Sequence, residues 1–453
     1  MNIIIAGCGK LGYTLAEQLC EENHDIVVID KDQSVLDEVA DVLDVQVLRG
    51  NCTTYHILRE AGVETCDLII ASAGQDEVNL LTCLIAKRAS NCETIARVRN
   101  PEYFHEALFL KNELGLAMTI NPERAAAAEI AKLIQIPSAM EVDTFAKGRV
   151  NAIRVKVLED TPLDNLTLMD FHTTICKDAL VCAVKRGQET VIPNGNFTLQ
   201  AGDIIYLILG LSARNTFFKK AGMKVKPIKN VMIIGGGTIA YYLAKQLLEA
   251  KISLKIVERD EKRCHELSEL LPQAIVIHGD ASDKQLLLEE GVEYTDAFIA
   301  LTGFDEENII LSLFVNKLIN KKCITKINKI SFNDVVEDLP VGSIVCPKFI
   351  TAEYIIQHVR SMQNTQGSNI ETLYMMEDNK VEALEFSIRE TSSVTGGPLM
   401  ELRLKKGLII AGIIRNSRLI VPTGKDTIMA GDTVIIVTTN KGLKDITDIL
   451  DVR

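Results

Sequence analysis

Gly7, Gly9 and Gly12 stand at G-x-G-x-x-G spacing, and a carboxylate, Asp30, follows 23 residues after the first of them. This set suits a nucleotide. The first glycine permits a tight turn off a strand, the second lets the backbone approach a pyrophosphate, and the third lets a helix pack close to the sheet. The helix N-terminus directs free N–H groups and a partial positive charge at the turn, where phosphate can sit. A carboxylate at the end of the next strand accepts hydrogen bonds from both ribose hydroxyls and repels a 2′-phosphate, so NADP is disfavoured. The pattern occurs twice. Gly235, Gly237 and Ala240 form the tolerated G-x-G-x-x-A variant, and Glu258 again lies 23 residues after the first glycine.

Two further cations, Arg97 and Arg99, close what reads as the fifth strand, on the ligand side of such a sheet; they suit a polyphosphate. The second copy has Lys326 and Asn328 there, one cation fewer, and Asp280 where the first has Asn51. The two sites need not prefer one nucleotide.

Residues for catalysis are harder to find. A dehydrogenase needs a general acid or base beside the nicotinamide. The seven histidines are scattered without HxH or HExxH spacing, and His278 reads as a packed residue on a core strand. Cys8 and Cys52 fall in ligand loops where a small residue suffices, and no Cys/His set has zinc spacing. No catalytic and no metal-binding residue is assigned.

The elements that must hold these residues follow from hydrophobic period. Ile3 to Ile5 form a short apolar run suited to a strand buried on both faces. Leu11, Leu15 and Leu19 then mark one helix face, and Ile26 to Ile29 a second strand. Further strands are expected at Val45–Leu48, Asp67–Ala71, Thr94–Val98 and Met118–Ile120, with helices between them, including one near Glu102–Leu110. Alternating strands and helices specify an α/β fold with a doubly wound, Rossmann-like parallel sheet, its crevice outside the strands' carboxyl ends. An Ala-rich helix, Glu123–Ile134, leads out of this domain. From about Val142 to Leu211 the pattern becomes short alternating strands.

The period of the repeat is 229 residues: GQDEVN from Gly74 returns as GFDEEN from Gly303, Arg97 as Lys326, and Ala201-Gly202-Asp203 as Ala430-Gly431-Asp432. The chain therefore reads as two tandem units, with domains at 1–122, 140–221, 229–350 and 370–453, and a linker at Ala221–Lys229. Tandem copies fit a symmetric sensor better than a catalyst.

Composition limits the partners. With 453 residues, 47% hydrophobic, the chain can bury large cores, and a net charge of −12 argues against nucleic acid or anionic lipid as a partner. No apolar run approaches the roughly 18 residues of a spanning helix. Eleven cysteines without a CxxC pair fit a reducing cytosol.

Over essentially its whole length the sequence resembles the peripheral nucleotide-binding subunits of the bacterial and archaeal Trk potassium-uptake systems. The motifs are IIIAGCGKLG with Asp30, LRGNCTT, ASAGQDEVN, ARVRNPEY, IIGGGTIA with Glu258, HGDASD, LTGFDEEN, and the paired VIPNGNFTLQAGD and IVPTGKDTIMAGD. The resemblance implies two RCK units, each a Rossmann-like N-lobe followed by a small α+β C-lobe. It implies a non-enzymatic subunit on the inner face of the cell membrane. Such subunits assemble into rings, as a dimer of dimers, under a membrane-embedded potassium channel or transporter, which they gate on binding NAD, NADH, ATP or ADP. Carried over, the backbone of Gly7, Cys8, Gly9, Lys10 and Leu11 would hold phosphate and Asp30 the ribose. Asn51, Cys52 and Thr53 would lie at the adenine, Ser72 and Ala73 along the cofactor, and Arg97 and Arg99 at distal phosphates. The second unit offers Gly235, Gly236, Gly237, Thr238 and Ile239, then Glu258, then Asp280, Ala281 and Ser282, then Leu301, Thr302 and Lys326. Asn51 departs from the commoner Asp, and Ala240 from the third Gly. Two alternatives stay open: an NAD-dependent oxidoreductase, and a regulator of a potassium efflux channel.

Overall fold

A computed structural model describes residues 1–451 except 102, 104–105, 137–138, 146–149, 224–226, 320, 329–338, 365–369 and 377–379. Strands β1 (Asn2–Ala6), β2 (Asp25–Asp30), β3 (Gln46–Arg49), β4 (Leu68–Ala71), β5 (Glu93–Arg97) and β6 (Met118–Ile120) form a parallel sheet in the order β3-β2-β1-β4-β5-β6. β1 is central, which is why Ile3, Ile4 and Ile5 are all buried. The strand order reverses between β1 and β4, so the crevice opens above their carboxyl ends.

The first small module pairs β7 (Glu141–Phe145), β8 (Val150–Lys156), β9 (Ala179–Arg186), β10 (Glu189–Val191) and β11 (Ile204–Gly210) antiparallel, in the order β10-β9-β11-β8-β7. Two short helices, Leu168–Thr174 and Arg214–Lys220, complete it. The second unit repeats both plans. β12 (Asn230–Ile234), β13 (Ser253–Glu258), β14 (Ile275–His278), β15 (Ala297–Ala300), β16 (Lys322–Lys326) and β17 (Ser343–Val345) run β14-β13-β12-β15-β16-β17. β18 (Ile370–Met376), β19 (Val381–Ser387), β20 (Leu408–Arg415), β21 (Arg418–Ile420) and β22 (Thr433–Thr438) run β18-β19-β22-β20-β21.

The units are interlocked rather than strung end to end. The exit helix of the first sheet, Pro122–Gln135, is N-capped by Asn121, whose side chain accepts the Arg124 N–H at 2.9 Å. Its Ala126, Ala127, Ile130 and Ile134 join one core with Leu243, Ala244 and Leu247 of the helix Thr238–Glu249 in the other unit. The alanines let the two backbones approach. In return, Ala352, Ile355, Ile356 and Val359 of the helix Pro347–Asn364 cover Leu11, Leu15 and Leu19 of the helix Lys10–Glu21. Each unit's exit helix thus roofs the glycine-turn helix of the other. The small sheets complete the pairing: Ala152, Ala183 and Ile208 share a core with Ala383, Ile435 and Val437, and Phe145 meets Tyr374 edge-on at 4.5 Å.

Two expectations change. Of the helix expected near Glu102–Leu110, Pro101 and Tyr103 are helical, residues 102 and 104–105 lie outside the described set, and a helix runs on over Ala107–Leu114, stopped by Gly115 at φ +66°. His278 is exposed rather than packed, because β14 is an edge strand; its Nε2 lies 3.2 Å from the Arg259 carbonyl. The expected linker begins with Ala221 and Met223, which are buried in the first module's core; residues 224–226 lie outside the described set.

One lysine stitches the units. Lys322 on β16 donates to the Ala139 carbonyl at 2.6 Å and to Ser343 Oγ at 3.0 Å. Ser343 Oγ in turn donates to the Met140 carbonyl at 3.0 Å. No carboxylate is among these partners, and burial pushes the Lys322 ammonium down to about 7 from an ordinary 10.5. Between those values the unfolded chain binds a proton that the folded chain lacks. Stability from this group therefore rises with pH from about 7 to about 10.5, and its penalty is fully present below 7. Thermal unfolding of the wild type and of Lys322→Met across pH 6 to 10 checks this. The difference between the two is expected to favour the wild type progressively as pH rises, and a constant difference would refute it.

Candidate nucleotide sites

The first turn is shaped by three close approaches. Gly7 sits at φ +96°, and a Cβ there would lie 2.6 Å from the Ala73 nitrogen. A Cβ on Gly12 would lie 2.1 Å from the Gly7 carbonyl oxygen. Gly9 is open and precedes the helix Lys10–Glu21, whose first N–H groups stay free of side-chain caps. Cys8 and Leu11 turn their side chains into the core, so only their backbones face the turn.

Asp30 is tied to that turn. Its Oδ2 accepts the Cys8 N–H at 2.6 Å and its Oδ1 accepts the Asp32 N–H at 3.0 Å. A carboxylate offers about four lone-pair positions, so acceptor capacity remains for ribose hydroxyls. The Cys8 thiol is pushed up to about 11 by burial and then by the Asp30 carboxylate, which leaves it protonated and a poor nucleophile near neutral pH.

A cavity of about 450 Å³ opens here, lined by Gly7, Gly9, Asp30, Cys52, Ser72, Ala73 and Arg97, together with Ile29, Lys31, Gly50, Gly74, Gln75 and Val78. Asn51 stands beside it and braces its own loop, accepting from the Thr53 N–H at 3.2 Å and the Thr53 hydroxyl at 2.9 Å. Lys10 is exposed at the helix start. Arg97 lies across the end of β4, donating to the Ser72 and Ala73 carbonyls at 3.4 and 3.3 Å. Its buried Nε has no hydrogen-bond partner among the described residues. Burial first, then the Arg99 charge, pulls the guanidinium below its ordinary value. A half-buried cation held mainly by carbonyls is one that an arriving anion would relieve.

Arg99 departs from this group. The Asp76 carboxylate accepts its backbone N–H at 2.8 Å and turns the chain, and its side chain pairs with Glu123 at 2.7 Å. It lines a different cavity, at the boundary with the second unit.

The second turn repeats the first. Gly235 sits at φ +93°, and Glu258 accepts the Gly236 N–H at 2.6 Å and the Asp260 N–H at 2.9 Å. Ala240 is fully buried, so its methyl is accommodated where Gly12 allows none. Gly237, Thr238 and Ile239 open the helix Thr238–Glu249. Asp280 accepts the Ser282 N–H at 2.8 Å, which together with the Ser282 hydroxyl holds its carboxyl below the usual range. Ala281 and Leu301 are buried, and Lys326 reaches the Leu301 carbonyl at 3.4 Å.

Sequence reasoning missed the braces. Asn79, fully buried, accepts the Ala73 N–H at 2.8 Å and donates to the carbonyls of Ala73 and Arg97 at 3.0 and 2.9 Å. Asn308 makes the matching bonds to Thr302 and Lys326. The recurrence of GQDEVN as GFDEEN carried that signal. Arg263, which donates to the Gly236 carbonyl at 2.8 Å, had no counterpart signal.

Comparison with known proteins follows the same division. The TrkA-N domain model matches residues 3–122 and 231–347, and the TrkA-C domain model matches 152–222 and 383–451. The Trk system potassium uptake protein TrkA of Haemophilus influenzae is 32% identical over 97% of this chain and 96% of its own. The chain belongs to the TrkA family. A TrkA homolog from Archaeoglobus fulgidus is 35% identical over 96% of this chain and 97% of its own. This chain also superposes on solved structures. The GsuK channel bound to NAD aligns at TM-score 0.63 and 19% identity over 97% of this chain and 77% of that one. The crystal structure of the GsuK RCK domain aligns at TM-score 0.62 and 18% identity over 97% and 92%. At these identities the likeness concerns the fold. No described helix is long and apolar enough to cross a membrane.

Proposed function

We propose that this protein is a regulatory subunit of a potassium-uptake system that senses adenine nucleotides at its two glycine turns. The observation that carries the reading is the doubled device: a carboxylate, Asp30 or Glu258, clamped onto each glycine turn in one interlocked body. The full-length relatives named as Trk potassium uptake proteins support the transport role. The GsuK channel, described with NAD bound, shares the fold. On this reading the ligands are NAD or NADH, with ATP or ADP as alternatives. The partner is a membrane-embedded potassium channel or transporter subunit. The protein assembles with further copies into a ring on the inner face of the membrane, and it catalyses no reaction on its ligand.

The mechanism is differential binding. A nucleotide shifts the assembly only as far as it prefers one state, by roughly 1–3 kcal/mol in typical cases. Because each exit helix roofs the other unit's turn helix, a change at one turn reaches the other unit directly. Calorimetric titration of the full-length protein with NADH, NAD, ATP and ADP tests this. Binding without conversion of the ligand is the expected result. Absence of binding by all four, or turnover of NADH with a carbonyl substrate, would overturn it.

A further inference from the structure

A second cavity, of about 490 Å³, lies between the units and outside the pocket of the first turn. Its walls come from both halves. Arg99, Asn100 and Pro101 belong to the first unit; Thr238, Tyr241, Arg263 and Leu270 belong to the second. Thr238 is the first residue of the helix that follows the second glycine turn, and Arg263 grips the turn itself through the Gly236 carbonyl. The cavity therefore begins where a phosphate on the second turn would end, and across it stands Arg99. The Arg99 Nε edge is fixed by Glu123 at 2.7 Å, while 46% of the side chain stays exposed. Arg263 pairs with the exposed Glu266 at 2.8 Å, whereas Glu123, only 14% exposed, engages the Nε of Arg99.

The repeat supplies an independent argument. Lys10, the residue after Gly9, becomes Thr238 in the second turn, which loses its cation. Arg99 becomes Asn328, 229 residues later, so the counterpart that would serve the first turn has lost its cation too. The two changes are complementary. The first turn keeps a cation on its own helix, and the second has one placed opposite it by the other unit. Lys326, two residues before Asn328, feels the Lys10 charge, which puts the first turn against the second unit in the same way.

We infer that Arg99 completes the second site across the unit boundary, taking the terminal phosphate of a nucleoside polyphosphate seated on the Gly235–Gly237 turn. This rests on the nucleotide-binding reading given above. The planar guanidinium suits two phosphate oxygens at once, and Arg263 supplies a second positive edge. A ligand held this way bridges the units, so its terminal phosphate reports on their spacing.

The test uses the full chain in two backgrounds. Asp30→Ala leaves the second turn to be read, and Glu258→Ala leaves the first. Arg99→Gln is expected to weaken ATP by roughly 10-fold or more in the Asp30→Ala background and to leave AMP within about twofold. Arg99→Lys should recover part of the loss, and the thermal transition should show each variant folded. In the Glu258→Ala background Arg99→Gln should leave ATP unchanged. Loss of ATP in that background would assign Arg99 to the first turn. Equal weakening of ATP and AMP would make its role structural, and no change would remove it from binding; each of these overturns the inference. Failure of the unsubstituted protein to bind either nucleotide would instead overturn the proposed function.

Discussion

Replacing Asp30 with alanine is expected to weaken nucleotide binding at the first turn by at least about 100-fold and to leave the second turn unchanged; Glu258→Ala should do the reverse. Hydrogen bonds from neutral donors to a charged acceptor contribute about 1.5–3 kcal/mol each, and two ribose hydroxyls at the lower figure give about 3 kcal/mol, roughly 100-fold. A second effect adds to the first. Asp30 also accepts the N–H groups of Cys8 and Asp32, so alanine frees the turn that should hold the phosphates. The same holds for Glu258 with Gly236 and Asp260. Each carboxylate bonds only its own turn, so the ribose and backbone contacts that alanine removes belong to one site. Calorimetry on the single and double variants checks it. Unchanged affinity in both single variants would remove the two carboxylates from the binding sites.

Much of this site was legible before the fold was seen, because a glycine turn is a local device. Gly7, Gly12 and Asp30 are linked by sterics and a short spacing that survive in one dimension, and the internal repeat showed the second copy. What depended on distance was not legible. The apolar stripe Leu11, Leu15, Leu19 reads the same whether the first unit or the second covers it, and the answer was the second. Arg97 and Arg99 sit two residues apart and looked like one pair; Asp76 catches the backbone between strand and loop and sends their side chains to different cavities. His278 was misread for the same reason, since only the sheet order reveals that β14 is an edge.

The interlock has the second large consequence. Ile130 lies in the core shared by the helices Pro122–Gln135 and Thr238–Glu249, and Ile355 in the matching core with Lys10–Glu21; both are fully buried. Truncation of a buried isoleucine to alanine costs about 2–5 kcal/mol, transfer and cavity together. The two belong to different cores, so their costs should add, to about 4–10 kcal/mol in the double variant. That is comparable with the whole stability of a typical domain. Each single variant should lower the urea midpoint clearly. Ile310→Ala, on an exposed position of the second unit, should leave it almost unmoved. The argument extends to binding. Ile355 packs behind the helix whose N-terminus faces the first turn, so Ile355→Ala should loosen that site more than the second, and Ile130→Ala the second more than the first. If both isoleucine variants unfold like the Ile310 control, the exit helices do not hold the units together, and coupling between the turns would need another route.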